Sequence, residues 1–384
     1  MFKKFNIKPL SLIFVLMLLL ALGINKNLAL AVSAEDLTED LVDVINDSDL
    51  MNEIPEEAKG FLNELGISPK IEDAFRLMPR DFFRLIAREI KRACLKPIRI
   101  TATSFGIALI GTLVYGLKTS FMESSVASVF SLVSVLSLVG FISPPIISLI
   151  KDTAIVIKSS CHFMLSLIPV MSALIASGGF NLANAGYTTM LFFFCQIVVR
   201  ICSEIFVPIM SMYFALSITG SIMPDVSLSS LLQGIKKFVS WGLALLTTGF
   251  VSFLSIQTVV NVNADKLGFK TAKFLVGSFV PAIGTAISDA LSTAYGCIGL
   301  IKNTLGGFGI IIIILSFMPI LLKLSLWYFC LNITKELCLI IDAKEISKVL
   351  NGASFCVGIL ISVCFAIGLV LIVSGAVVMI WISP

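Results

Sequence analysis

The sequence contains a single histidine, His162, among its 384 residues. Zinc sites built on histidine and Ser-His-Asp catalytic triads are therefore unavailable. The nine cysteines form no C-x-x-C pair, and most of them lie inside apolar runs, where cysteine is typically a small buried side chain. We therefore predict no catalytic residue, no metal site and no disulfide framework.

The sequence also has no G-x-x-x-x-G-K-[ST] loop, so it lacks the usual phosphate-binding loop of ATP-driven proteins. The glycine-rich stretch Gly306–Gly309 has no preceding strand and no following acidic residue, and it indicates the start of a helix rather than a dinucleotide site. The sequence therefore predicts that the chain binds no cofactor and is not an enzyme.

Charged residues make up only 14% of the chain, whereas soluble domains carry about 25%. Hydrophobic residues make up 57%, and the mean hydropathy is +1.02, which excludes a water-soluble globular protein. The net charge of +4 arises from four lysines within residues 1–34, and the remainder has 24 basic and 24 acidic residues. With no general basic surface, the chain is not expected to bind nucleic acid.

Residues 1–34 have the pattern of a secretory signal peptide. A basic start with Lys3, Lys4 and Lys8 precedes an apolar core at residues 10–24, and small residues follow up to Ala34. We predict cleavage after Ala34, with an uncleaved anchor as the alternative. In both cases residue 35 begins outside the cytoplasm.

Residues 35–100 form a predicted exported segment that is first acidic and then rich in arginine. Thirteen of the 24 acidic residues fall within residues 35–73. The basic part contains a stripe at four-residue intervals, which lies on one face of a helix: Arg76, Arg80, Arg84 and Arg88. This stripe can lie on anionic lipid headgroups, dock an acidic partner or the chain's own acidic segment, or be simply solvated. The positive-inside rule would favour these arginines in the cytoplasm, which would invert the topology.

The rest of the chain contains runs long enough to cross a bilayer. They occupy residues 101–117, 126–150, 154–178, 187–219, 238–260, 274–300, 305–334 and 353–381. The sequence predicts an all-α polytopic membrane protein with seven or eight hydrophobic helical segments after the signal peptide. Residues 101–150 form the first transmembrane pair.

An internal duplication is predicted in the C-terminal two thirds, with one unit at residues 155–260 and a second at 270–381. The heptapeptide YFALSIT from Tyr213 matches YFCLNIT from Tyr328, and Leu232-Gln233-Gly234 matches Leu350-Asn351-Gly352. Two pairs of prolines are collinear with these matches and are candidate helix breaks: Pro169 with Pro281, and Pro208 with Pro319.

Three spans in each unit would make the second unit inverted, as in secondary transporters, and four would make it parallel. The alternative is that the prolines are ordinary kinks of membrane helices. A self-contained secondary transporter is accordingly the second functional hypothesis for this chain, and a membrane scaffold without a conduit is the third.

Arg200 and Glu204 lie four residues apart in a strongly apolar run, where each unpaired charge is costly. This spacing allows them to pair on one helix face, and the pair can serve a helix contact or line a polar path. Asp289 and Lys323 are weaker candidates of the same class, because their positions near run ends permit snorkelling.

The order of these parts resembles a known family. The resemblance covers essentially the whole chain and is carried by KFLVGSFVPAIGTAISDALSTAYG at residues 273–296, followed by LGGFG and a proline-bearing aromatic run. In these features the chain resembles stage III sporulation protein AE of endospore-forming bacteria.

The resemblance implies an integral membrane subunit made in the mother cell and placed in the outer forespore membrane, with the residues after the signal peptide facing the intermembrane space. It implies work with the other stage III A proteins, including a separate ATPase subunit, and indirectly with stage II sporulation protein Q. The assembly would be a channel or secretion-like complex that supports forespore development and late forespore gene expression. The resemblance carries over no catalytic residue.

Overall fold

A computed structural model of the chain describes residues 52–64, 79–121, 124–177, 190, 193–194, 196–222, 228–250, 252 and 284–380. Within these ranges the backbone is almost entirely helical, and no strand occurs. The prediction of an all-α fold is confirmed. The predicted signal peptide, the acidic residues 35–51, Arg76 and Pro281 lie outside the described residues.

The helices follow one another along the chain with short connections in several places. In order they are α1 (Glu56–Glu64), α2 (Pro79–Phe121), α3 (Ser124–Ser177), a π-helical segment (Ile201–Phe206), α4 (Val207–Ile222), α5 (residues 229–250), α6 (Gly284–Ile340) and α7 (Lys344–Ile380).

Five helical stretches in the described part of the chain are long and apolar enough to cross a membrane. They are Arg84–Val114, Leu132–Leu167, Gln196–Ile222, Leu305–Ile340 and Lys344–Ser374. The predicted count of seven or eight hydrophobic segments is not confirmed, because some neighbouring runs belong to one helix. The runs 126–150 and 154–178 share α3, and the described part of 274–300 shares α6 with 305–334.

The centre of the bundle is the pair α6 and α7, which make the most extensive contact of any two described helices. In α6, 78% of the most apolar stretch is buried inside the protein, whereas in α2 the share is 17%. Helix α6 also contacts α1, α2 and α3, and α7 contacts α3 and α4. The outer helices therefore pack around a central hairpin and leave their remaining faces for lipid.

A tight turn joins α6 to α7 and forms this hairpin. The amide of Ala343 donates to the carbonyl of Cys338 at 2.9 Å, and the amide of Asp342 donates to the carbonyl of Leu339 at 3.1 Å. Asp342 has a φ of 60°, a left-handed conformation that aspartate tolerates better than most residues. This pair of bonds is a Schellman motif, which ends α6 and lets α7 begin at Lys344.

Two glycines allow α6 and α7 to approach their neighbours closely. A Cβ atom at Gly309 of α6 would lie 2.4 Å from a methyl carbon of Leu167 in α3. A Cβ atom at Gly352 of α7 would lie 1.7 Å from the hydroxyl oxygen of Ser217 in α4. At Gly309 the Leu167 side chain could turn aside, whereas at Gly352 a Cβ atom would also lie 2.6 Å from the Cβ atom of Ser217, so the contact of α7 with α4 depends on glycine.

Candidate functional site

An ion pair joins two of the long helices inside the bundle. The Nζ atom of Lys323 in α6 lies 2.5 Å from the Oδ2 atom of Asp152 in α3, and both side chains are only about one third exposed, at 39% and 35%. Both residues lie within candidate membrane spans. A charge in such a position is costly when it is alone, so the pair stabilises the contact between α3 and α6.

Sequence reasoning treated Lys323 as a weak candidate and missed its partner. The signal for Asp152 was the polar pair Lys151-Asp152, which separates the runs 126–150 and 154–178. In the structure α3 continues through this pair, because the carboxylate of Asp152 is directed to a cation on α6. The structure thus gives Lys323 a counterion on another helix, and the snorkelling that its sequence position permits stays a prediction.

Hydroxyl groups near this ion pair bond mainly to the backbone of their own helices. Thr153 donates to the carbonyl of Leu149 at 2.7 Å, and Ser316 donates to the carbonyl of Ile312 at 2.7 Å. In the described ranges, only the side-chain oxygens of Ser104 and Ser160 are buried without a hydrogen-bond partner. The interior polar groups thus mostly satisfy themselves locally rather than converge on one point.

Arg200 and Glu204 lie at the π-helical segment of the span Gln196–Ile222. Both side chains are exposed, and neither has an ion-pair partner among the residues that the structure describes. The π-helix ends at Phe206, two residues before Pro208. Pro208 has no amide donor and its ring crowds the carbonyl of Glu204, so a widened turn before it relieves the conflict.

The other candidate helix breaks differ from Pro208. Pro169 lies inside α3 and Pro319 lies inside α6, and neither proline ends its helix. Membrane helices tolerate such prolines when neighbouring helices and local adjustments compensate for the lost bond. Among the described prolines of the predicted repeat, Pro208 alone adjoins a π-helical segment.

The matching heptapeptides of the predicted repeat share one local feature. Thr219 donates to the carbonyl of Ala215 at 3.1 Å, and its counterpart Thr334 donates to the carbonyl of Cys330 at 2.8 Å. Such bonds are common for threonine in helices, so they do not decide whether the two units share an origin. The duplication stays a prediction.

A second charged cluster joins α1 to α2. Glu64, the last residue of α1, forms an ion pair with Arg92 and lies 3.3 Å from Arg88, both on α2. The hydrogen bond from Arg92, helped by Arg88, lowers the pKa of the Glu64 carboxyl below its usual value. The apolar face of α1 packs against the bundle through the buried side chains of Ala58, Phe61 and Leu62.

This cluster bears on the predicted arginine stripe. Arg88 contacts the chain's own acidic segment, which was one of the alternatives that the sequence left open. Arg84 is exposed and is also engaged in an interaction within the chain. Arg80 lies on α2, but its side chain is outside the described part, as is all of Arg76. Sequence reasoning singled out neither Glu64 nor Arg92 as a site residue of its own.

The described residues contain no group of three or more His, Cys, Asp or Glu side chains placed to hold a metal ion. Among the described residues, ion pairs between helices join Lys323 to Asp152 and Glu64 to Arg92 and Arg88. Other ion pairs lie within one helix or turn, and Arg200 and Glu204 are exposed at the π-helical segment. The ion pairs between helices can hold those helices in fixed positions. The exposed charges of Arg200 and Glu204 can bind a partner of complementary charge within the membrane.

Comparison with known proteins shows the family. The sequence profile described as Stage III sporulation protein AE matches residues 67–382. The chain belongs to the stage III sporulation protein AE family. The relative of that name from Bacillus subtilis (strain 168) is 25% identical over 285 residues, covering 73% of this chain and 70% of the relative. No solved structure matches the chain.

The family match begins before α2 and extends past the end of α7, and so includes all five candidate spans. Together, the family and the spans show a sporulation-related protein with helices suited to a membrane. The resemblance drawn from residues 273–296 is therefore confirmed at the level of the family.

Proposed function

We propose that this stage III sporulation protein AE homologue is a non-enzymatic membrane subunit of a sporulation-specific complex that connects the mother cell with the forespore. The family match over residues 67–382 is the observation that carries this proposal. The partners we propose are the other stage III A proteins, a separate ATPase subunit among them, and indirectly stage II sporulation protein Q. The location we propose is the outer forespore membrane.

The structure supports a role as a rigid membrane platform. Helix α1 is held against the bundle by buried apolar side chains and by the ion pairs of Glu64. If residue 35 begins outside the cytoplasm, this end of the bundle presents an ordered surface to the intermembrane space. Such a surface is suited to contact subunits that bridge two membranes.

The ion pair of Asp152 and Lys323 supports the same role. It joins two separate helices within the bundle, so it resists their separation rather than offering a free group for chemistry. A subunit that connects two membranes needs helices that keep their relative positions. A membrane subunit whose energy comes from a separate ATPase also agrees with the missing phosphate-binding loop.

The proposal is tested by deleting the gene in its spore-forming host and measuring a fluorescent reporter of late forespore gene expression. We expect the reporter signal to be lost after engulfment and restored by the wild-type gene. Normal reporter expression without the chain would contradict the proposal.

The competing transporter hypothesis is tested with the purified protein in lipid vesicles. We expect no solute transport by the chain alone, because its energy source and part of its path belong to other subunits. Solute uptake that is driven by an ion gradient in these vesicles would favour a self-contained transporter.

A further inference from the structure

The outward faces of the membrane spans are mostly apolar, as lipid requires. Helix α3 exposes many large hydrophobic side chains, and it also exposes Lys151, Lys158 and His162; the hydrophobic ones are Val129, Leu132, Val133, Leu136, Phe141, Ile147 and Ile155. Helix α2 exposes Leu109, Ile110 and Leu113 in the same way. These faces need no protein partner, because lipid tails solvate them as well as another helix does.

The span Gln196–Ile222 exposes charges of both signs, Arg200 and Glu204, on one side. A line of exposed residues at intervals of three or four runs along it, here called the polar stripe, and its members are charged, hydroxyl-bearing or small: Arg200, Glu204, Pro208, Ser211, Ala215 and Thr219. Residues at these intervals share one side of a helix. Apolar residues such as Ile197, Ile205 and Met212 are exposed beside the stripe and mark its flank.

The two charges make the polar stripe costly in lipid. Neither Arg200 nor Glu204 has an ion-pair partner among the described residues, although Lys323 and Asp152 show that this bundle pairs such groups elsewhere. An unpaired charge within a membrane span is unfavourable, because lipid tails cannot solvate it. No described residue neutralises the two charges of the stripe, so a partner with complementary charges would stabilise it.

We propose that a second copy of this chain covers it, so that two polar stripes meet in the membrane. The stripe is complementary to itself in charge, since each copy offers one cation and one anion about one helical turn apart. Copies in one membrane share the same orientation, so their spans run parallel and place equivalent residues at equal depth. Arg200 of each copy can then reach across one turn to Glu204 of the other, and two reciprocal ion pairs close.

The remaining members of the stripe suit a close helix contact. Ser211 and Ala215 have small side chains, which let two backbones approach in a membrane. The hydroxyl of Thr219 is already satisfied by the carbonyl of Ala215, so it can enter an interface without losing a hydrogen bond. This inference does not depend on the proposed sporulation complex.

The test uses two differently tagged full-length copies expressed together in growing cells, where sporulation proteins are absent. One tag is captured from mild detergent, and the amount of the other tag is measured. We expect Arg200→Glu copies, and separately Glu204→Arg copies, to lose at least about tenfold of the self-capture, because breaking charge pairs costs more than 1.4 kcal/mol.

The decisive sample combines an Arg200→Glu copy with a Glu204→Arg copy. This mixture restores opposite charges across the interface, and we expect its capture to return close to the wild-type amount. The matched control is Lys158→Glu, which reverses an exposed cation on the span of α3 and should leave self-capture unchanged. The proposal would be overturned if copies of either single variant captured each other as well as wild-type copies do. It would also be overturned if the amount captured from the mixture stayed low.

A second measurement does not depend on charge variants. An Ala215→Cys chain should give a crosslinked dimer with a short thiol crosslinker in membranes, beyond the wild-type background, whereas Leu136→Cys on the apolar face of α3 should not. If Ala215→Cys reacts with a membrane-impermeant thiol reagent and gives no dimer, the stripe lines water instead. A crosslink to a different protein in place of the second copy would likewise overturn the proposal.

Discussion

Lys323 and Asp152 lie 171 residues apart in the sequence and meet in an ion pair between α6 and α3. Each residue lies near the middle of a long apolar span. Their contact links the central hairpin of α6 and α7 to one of the outer helices. The fold therefore depends on a polar contact as well as on apolar packing.

Removing one partner of this pair should destabilise the protein. Asp152→Asn leaves the ammonium group of Lys323 without its anion, and Lys323→Met leaves the carboxylate of Asp152 without its cation. We expect each to lower the free energy of unfolding by about 2.5–3.5 kcal/mol, the scale for an unpaired charge in a membrane helix. Thermal unfolding in detergent measures the effect as a lower Tm.

The charge-exchanged protein provides the control for this prediction. Asp152→Lys combined with Lys323→Asp restores opposite charges between α3 and α6, and we expect most of the lost stability to return. If the exchanged protein is as unstable as the sum of its single variants, the pair does not interact as described.

Gly352 should tolerate no side chain, whereas its counterpart Gly234 in the predicted repeat should accept one. In Gly352→Ala the new Cβ atom would lie 2.6 Å from the Cβ atom of Ser217, which forces α7 away from α4. We expect a loss of about 1–3 kcal/mol, the usual effect of overpacking. Nothing lies within 4 Å of a Cβ atom at Gly234, so Gly234→Ala should be neutral or slightly stabilising.

The same contact predicts a rescue. Ser217→Gly removes the atoms that meet the new methyl group, so the double variant with Gly352→Ala should be more stable than Gly352→Ala alone. Equal thermal stability of the single and double variants would show that the clash lies elsewhere.

The attachment of α1 to α2 should weaken in acid. Because Arg92, with help from Arg88, lowers the pKa of Glu64 from 4.5, the contribution of its carboxylate is complete above about pH 4.5. It is lost as the pH falls through the lowered value. Hydrogen exchange of residues 56–64 measures this, with Glu64→Gln as the comparison at each pH.

At pH 7 we expect α1 of Glu64→Gln to exchange about two- to fivefold faster than wild type, as exposed ion pairs are modest. Once the wild-type carboxyl is protonated, the two proteins should exchange at similar rates. A constant ratio across the acidic range would mean that the carboxylate does not hold α1.

The apolar runs were sufficient to predict the helical membrane fold, because hydrophobic length is a local property of the sequence. They were insufficient to predict the number of helices. The polar residues Lys151-Asp152 suggested a boundary, yet α3 passes through them because Lys323 supplies a counterion from a distant part of the chain. Such a partner depends on tertiary packing and leaves no trace in local hydropathy.

The charged sites also could be predicted only in part, because their partners depend on tertiary packing. The spacing of Arg84 and Arg88 predicted a basic helix face, but the choice of Glu64 as a partner required the packing of α1. Arg200 and Glu204 were found because charges are rare in apolar runs. Their exposure beside a π-helix became visible only in the structure, since four-residue spacing alone favours a pair within one helix.

The central claim is that this chain acts as a membrane subunit of a sporulation complex, and capture from its host tests that claim most directly. The tagged chain is crosslinked and purified from sporulating cells, with growing cells as the control. We predict that other stage III A proteins, including the ATPase subunit, are recovered only from sporulating cells. Recovery of the chain from both cell states without any of these proteins would contradict the account.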